Sequence, residues 1–289
     1  PGMIKISYGG VCRNIADNMA RVGVNTKFIS LIGNDEPGQS MIEHAEKLGY
    51  CMKDSMTLKN NGTPTYMVIL DHEGEMVSAL VDMAGIDEVS EEFIDSKAEY
   101  FQHAEYVFVD ADAPELLEYM LKRFHTSTKF ILDPVSAAKA HSVKHLMKYF
   151  HTVKPNIHEA EEIVGFKIKN DDDLREAASR IHAQGVTNVF ISLGEDGIFY
   201  SAEKKQGRIR ARNVKAVNVT GAGDSLVAGI GYGYMHGLDI KETIKYAIAM
   251  SVLTVGHPET INPDMSEEAV RKTIGGLHWD FAEYYMQPE

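Results

Sequence analysis

Asn218-Val219-Thr220-Gly221-Ala222-Gly223-Asp224-Ser225 places two glycines and a carboxylate at the mouth of a helix-like run that continues to Tyr234. Glycine takes backbone conformations that other residues resist, so Gly221 and Gly223 let successive amide N–H groups converge on one anion. A helix beginning there aims the positive end of its dipole at the same point. Asp224 then lies in the first helical turn. An acid in that position is either a reactive group beside an anion hole or an ordinary helix-start residue favoured by the dipole, and the segment alone fits both readings.

Outward from this turn, apolar β-rich runs alternate with helical patterns over most of the 289 residues. That rhythm predicts a largely parallel sheet flanked by helices. Strands are expected at Phe28–Ile32, Tyr106–Val109, Phe130–Leu132, His151–Val153 and Val189–Ser192. Between them Ile15-Met19-Val22, Met41-Ala45-Leu48 and Leu116-Met120-Phe124 recur at helical spacing. Residues 63–83 break the pattern: Tyr66–Leu70 and Met76–Val81 flank a polar turn, Asp71-His72-Glu73-Gly74-Glu75, and read as a β-hairpin. In an α/β domain such an insert is either a lid or a plain edge hairpin.

The formal charge of −13 argues against nucleic acid and anionic membrane as partners, since both need clustered Lys and Arg. A phosphate ligand would have to be held by backbone amides, a metal and a few local cations. Two cysteines, Cys12 and Cys51, make no disulfide framework, and a reducing cytoplasm is the expected compartment. No apolar run reaches transmembrane length.

Four further segments fall where an open α/β sheet places ligands, beyond the carboxyl ends of strands. Gly9-Gly10 precede a helix whose first turns carry Arg13 and Asn14, and an asparagine amide can offer donor and acceptor together to a diol. Asn156 and Glu159 have capping-box spacing, and Glu159 is also placed to hold a water of hydrated magnesium. Ser192-Leu193-Gly194-Glu195-Asp196-Gly197 follows a buried strand, as a phosphate-approaching loop or a hairpin turn into Ile198-Phe199-Tyr200. Asp133, before Pro134, ends another strand and either orients a substrate or caps a turn. No G-x-x-x-x-G-K-[ST] run is present, and Gly231 and Gly233 lie within a helical pattern where they suit close packing.

Together these segments resemble the PfkB, or ribokinase-like, family of small-molecule kinases. Gly221-Ala222-Gly223-Asp224 is similar to its closing signature, Gly9-Gly10 with Asn14 to its sugar-binding motif, Asn156-Ile157-His158-Glu159 to its N-x-x-E motif and Ser192-Leu193-Gly194 to its phosphate loop. The likeness covers nearly the whole chain, as a single kinase domain over 1–289. Gly9 to Ala16, Gly74-Glu75-Met76, Asp82-Met83, Asp133 to Ser136, Val217 to Thr220 and Asn262-Pro263-Asp264 most resemble the pseudouridine-phosphorylating branch.

The resemblance implies a ribokinase-like α/β fold with a small β lid, formed mainly by residues 63–83 and the segment near 3–8. It implies transfer of a phosphoryl group from ATP to the 5′-hydroxyl of pseudouridine, with another nucleoside or sugar, such as inosine or ribose, as the alternative acceptor. A silent nucleoside-binding protein on the same fold is the reading from outside enzymology. Asp224 would be the base, with Gly221, Ala222 and Gly223 as the anion hole. Ser192, Gly194, Gly197, Asn156 and Thr220 would line ATP, with His257 and Asn262 near its adenine. Gly9, Gly10, Asn14, Arg13, Asp82 and Thr65 would hold the nucleoside, and Glu159 with Asn156 would hold Mg2+ through water. A homodimer through the lid and a pathway link to a pseudouridine 5′-phosphate glycosidase are also implied.

Two departures accompany the likeness. Members that bind a monovalent cation have Asp where this chain has Asn218, so the resemblance leaves such a cation open. The family's first strand, with its substrate-binding acid, has no counterpart before Gly9, and a longer natural chain is the expectation.

Overall fold

The computed structural model describes residues 4, 6–73, 76–202 and 204–284; Pro1–Met3, Lys5 and the Gly74-Glu75 tip of the expected hairpin lie outside them. The strands are β1 (Leu31–Ile32), β2 (Met56–Thr57), β3 (Thr65–Leu70), β4 (Met76–Asp82), β5 (Tyr106–Val109), β6 (Lys129–Leu132), β7 (Phe150–Val153), β8 (Asn188–Ser192), β9 (Ile198–Ala202), β10 (Lys205–Arg212) and β11 (His278–Tyr284). The helices are α1 (Val11–Arg21), α2 (Glu36–Leu48), α3 (Glu91–Asp95), α4 (Ala98–His103), α5 (Pro114–Phe124), α6 (Ala137–Val143), α7 (Ile157–Val164), α8 (Asp171–Ala183), α9 (Ala222–Met235), α10 (Ile240–Val255) and α11 (Glu267–Gly276).

Seven strands form the main sheet in the order β11-β10-β9-β8-β7-β6-β5. β5 through β8 run parallel, each reached through helical crossovers, and β9, β10 and β11 continue antiparallel. Alternation along a strand sends successive side chains to opposite faces. Phe130 and Leu132 of β6 and Val189 and Ile191 of β8 enter a core with α5, α7 and α8. Ile131 and Phe190, between them, enter the cores under α1, α9 and α10 on the other face. α9 and α10 approach closely because Gly233 has no side chain: a Cβ there would stand 2.4 Å from Thr243 Oγ1.

The expected strand at Phe28–Ile32 is a correction. Only Leu31–Ile32 is extended in a ladder, and it pairs in parallel with Met56–Thr57 in a separate two-stranded sheet. The run is apolar because Phe28 and Ile32 pack against α1 and α2, not because it belongs to the main sheet. The hairpin is present: β3 and β4 pair antiparallel, with Thr65 opposite Asp82 and Met67 opposite Leu80. It is a sheet of its own.

Candidate active site

The carboxyl ends of β6, β7 and β8 and the N-terminus of α9 meet at one place. Asp133, directly after β6, and Lys154, directly after β7, form an ion pair at 3.3 Å with both side chains almost wholly buried. Burial alone would discharge Lys154, but the carboxylates of Asp133, Glu159 and Asp224 outweigh it and hold the ammonium above its ordinary range. Asp133 is itself pinned: its Oδ1 accepts Val135 N at 3.0 Å. Val135 has φ 69°, rare for a β-branched residue, and the turn closes with Ser136 N donating to Pro134 O at 2.8 Å.

Gly221 caps α9 with φ 82°, and a Cβ there would lie 2.2 Å from Thr260 O, so the turn requires glycine twice over. Ser225 N makes the first bond of the helix to Gly221 O, and Ala222 N turns back to Val219 O at 3.3 Å. The amides of Gly223 and Asp224 remain the unspent donors of the first turn. Lys154 Nζ stands beside them, 3.5 Å from where a Cβ on Gly223 would be.

Asp224 is largely enclosed. Burial drives its carboxyl up to about 6, with Asp133 adding to the rise, while the Asn14 hydrogen bond, Lys154 and Arg13 oppose it. Asn14 Nδ2 donates to Asp224 Oδ2 at 2.6 Å, joining the first helix of the chain to the glycine turn. A carboxylate poised near neutrality beside orphan amides and a fixed ammonium can accept a proton from a hydroxyl and steady negative charge forming next to it.

Residues 2–268 match the pfkB family of carbohydrate kinases. The chain belongs to that family. Pseudouridine kinase of Escherichia coli (strain K12) is 32% identical to it over 268 residues, covering 92% of this chain and 85% of that protein. A crystal structure of a Clostridium perfringens protein classed as a sugar kinase is 54% identical, with a TM-score of 0.94 over 99% of this chain and 90% of the other. Arabidopsis thaliana ribokinase complexed with ribose and ATP superposes with a TM-score of 0.78 at 21% identity, over 92% and 87% of the two chains, a likeness of fold. This pfkB-family protein is thus a sugar or nucleoside kinase, a phosphotransferase with an alcohol acceptor on a ribokinase-like fold, and kinases of the family use ATP. No described helix is long and apolar enough to cross a membrane.

Other motifs of the pfkB pattern converge to different degrees. Ser192 forms a bridge with Asn156, and its N donates to Pro155 O at 2.9 Å, so the phosphate-loop and N-x-x-E segments lie side by side. Asn156 and Glu159 make the full capping box: Glu159 accepts Asn156 N and Nδ2, both at 2.8 Å, and its own N donates to Asn156 Oδ1 at 2.9 Å. Gly194 and Gly197 bracket a short 3-10 turn from β8 to β9, so this loop is also the hairpin turn.

Several nominated residues are engaged elsewhere. Arg13 is 3% exposed, and Tyr8 O, Gly9 O, Asp17 and Asn14 accept from its guanidinium. Gly10 caps α1. Asn14 bridges Arg13 and Asp224, its Oδ1 accepting from one and its Nδ2 donating to the other. Asn262 is buried with Nδ2 on Leu253 O and Oδ1 on Asp264 N, fastening the loop after α10. His257 accepts Glu259 N in that same loop. Thr220 N donates to Asn218 Oδ1, while Asn218 Nδ2 donates to Pro258 O, tying the glycine turn to it. Thr65 and Asp82 face each other at the foot of the hairpin.

Lys154 is the site residue that sequence reading passed over. The signal was there: a charge directly after an apolar strand, one strand away from an acid placed in the same way.

Proposed function

We propose that the protein phosphorylates the 5′-hydroxyl of pseudouridine with ATP. The observation that carries the chemistry is the Asp224 carboxyl, lifted to about 6, in the first turn of α9 beside the amides of Gly223 and Asp224. The likeness to Escherichia coli pseudouridine kinase over 92% of the chain supports the acceptor.

In this reading Asn14 holds one oxygen of Asp224, and the other takes the proton of the attacking hydroxyl. The amides of Gly223 and Asp224, with Lys154, face the charge that spreads over the phosphoryl oxygens. Because these donors are fixed before the reaction, little reorganisation is needed when charge develops. Ser192 and Gly194 would lie along the phosphate tail, with Thr220 and the His257–Asn262 loop on the far side.

Glu159 and Asn156 suit magnesium held through water. Burial raises the Glu159 carboxyl, with the Asn156 hydrogen bond and Lys154 opposing and Asp133 adding to the rise, and a bound cation would favour its charged form. Magnesium keeps several waters and needs few protein ligands, so one carboxylate acting through water would suffice. When bound, magnesium would offset the negative charge of the phosphates.

Register puts Thr65, Met67, Leu80 and Asp82 on one face of the hairpin and Tyr66, Val68, Ala79 and Val81 on the other. Met67 and Leu80 on the first and Tyr66, Val68 and Val81 on the second are exposed apolar side chains, Met67 at 55% and Val81 at 63%. We assign the first to covering the nucleoside, which excludes water and favours transfer over ATP hydrolysis, and the second to a second copy of the chain. The product is a nucleoside 5′-phosphate with a carbon–carbon glycosidic bond, and an enzyme that splits that bond is its consumer, in the cytoplasm.

The test is ATP consumption with pseudouridine, uridine, inosine and ribose in parallel. Pseudouridine is expected to give the highest kcat/KM. No preference for it overturns the acceptor, and no consumption with any of the four overturns the kinase reading.

A further inference from the structure

The guanidinium of Arg13 lies inside the protein, one residue removed from Asp224, with the Asn14 amide between them. Nε donates to Gly9 O at 3.0 Å, Nη2 to Tyr8 O at 3.1 Å, Nη1 to Asp17 Oδ2 at 3.0 Å, and Nη2 also to Asn14 Oδ1. Asp17 is 1% exposed and also accepts Arg21 Nε at 2.6 Å and bonds His44 Nε2 at 2.8 Å. A continuous chain of polar contacts therefore runs from α2 through Asp17, Arg13 and Asn14 to Asp224.

Arginine has donors only, and an ionised carboxylate has acceptors only. Between them the Asn14 amide has a single satisfactory orientation, oxygen to Arg13 and nitrogen to Asp224. Reversed, it would set donor against donor and acceptor against carboxylate. Among the described residues Asn14 is the only donor to the Asp224 side chain, and it takes Oδ2.

We propose that Arg13, anchored by Asp17, is a positioning residue that locks the Asn14 amide and so holds Asp224 with Oδ2 bound and Oδ1 turned to the acceptor hydroxyl. The proposal rests on the kinase reading for the role of Asp224, but the locked geometry exists without it. Asp224 faces Cys12, Arg13 and Asn14 from α1, Asp133 from the end of β6 and Lys154 from the end of β7. Removing Arg13 leaves Asp17 with two partners and removes one cation and one orienting contact from this set.

The experiment compares Arg13→Met with Arg21→Met, which strips the same buried Asp17 of a partner without touching Asn14. Three quantities are measured on the full chain: thermal midpoint, steady-state kinetics, and the titration of the Asp224 carboxyl carbon by NMR, assigned with Asp224→Asn. Arg13→Met is expected to lower kcat on the order of 10- to 100-fold and to move the Asp224 titration to higher pH, with KM for ATP within about twofold. Arg21→Met is expected to lower the thermal midpoint similarly and to change neither. If the two variants titrate and turn over alike, the proposal is overturned. Should Arg13→Met not fold, Arg13→Lys decides in the same way, because it keeps a cation for Asp17 but lacks the fork that also reaches Asn14. A wild-type protein that phosphorylates no alcohol defeats the kinase reading, and the carboxyl titration then decides this proposal by itself.

Discussion

The strand-end site and the β3–β4 hairpin handle polarity in opposite ways. At the strand ends, Asn14, Asp133, Lys154 and Glu159 are each 5% exposed or less, and each is bonded to a partner in the same cluster. In the hairpin, Val77 and Leu80 are 67% and 65% exposed, and the sheet has two strands. A two-stranded hairpin is marginal alone in water, whereas a buried polar network is rigid once every member is satisfied. The contrast separates two tasks. The strand-end groups hold one another in place through their own bonds, whereas the hairpin, in the role proposed for it, would gain its packing from what it covers.

The largest effect should come from removing charge at the arranged end. Burial lifts the folded Asp224 carboxyl to about 6, above its ordinary value, with Asp133 contributing and Asn14, Lys154 and Arg13 opposing. Ionising it therefore opposes folding: its favourable contribution is complete below about pH 4 and is lost as pH rises through 6. Asp224→Asn is expected to cut turnover by roughly 100-fold or more while retaining ATP binding. At pH 8 it should also stabilise the fold by about 1–3 kcal/mol, a gain that vanishes toward pH 4. Kinetics and thermal melts at the two pH values check both halves. Near-normal turnover would remove Asp224 from the role of base, and lower stability at pH 8 would show that the carboxylate supports the fold.

The hairpin should respond in binding and assembly instead. Leu80→Ser acts on the face shared with Thr65 and Asp82, and Val81→Lys on the opposite face. For Leu80→Ser, KM for the acceptor should rise about 10-fold with kcat within a few-fold, the loss expected for one apolar contact. For Val81→Lys, the mass in sizing chromatography should fall to that of one chain. Equal behaviour of the two variants would break the assignment of separate tasks to the two faces.

How far the sequence led also differs between regions. Tyr106–Val109, Phe130–Leu132 and Val189–Ser192 were legible as strands because a parallel sheet covered on both faces makes its strands continuously apolar. β10, Lys-Gln-Gly-Arg-Ile-Arg-Ala-Arg, was not, since its polar residues alternate with few apolar ones and only Ile209 and Ala211 carry the core face. β11 mixes His, Asp and Glu with aromatic residues and gave no clean period. At the site, the residue types and spacings of Asn156–Glu159 and Gly221–Asp224 were readable. The pairings were not: Asn14 and Asp224 meet from 210 positions apart, and nothing local shows that Arg13 points inward. Burial of a charge is decided by partners that the fold supplies from elsewhere.

The smallest effect is expected at Glu159, where the two kinds of region come closest to one another. Its carboxylate is bonded like the rest of the arranged site, yet burial raises it against the Asn156 bonds and Lys154, so in the proposed role a bound cation would favour its charge. Glutamine is accepted at the N3 position of a capping box, so Glu159→Gln should keep α7 and lose about one hydrogen bond, on the order of 1 kcal/mol. What it removes is the charge. The magnesium concentration for half-maximal turnover should then rise several-fold with kcat at saturating metal only modestly lower, because an ion held through water by one carboxylate and by phosphates keeps most of its ligands. An unchanged metal titration with a lowered thermal midpoint would assign Glu159 to the helix cap alone and place it wholly with the prearranged polar network.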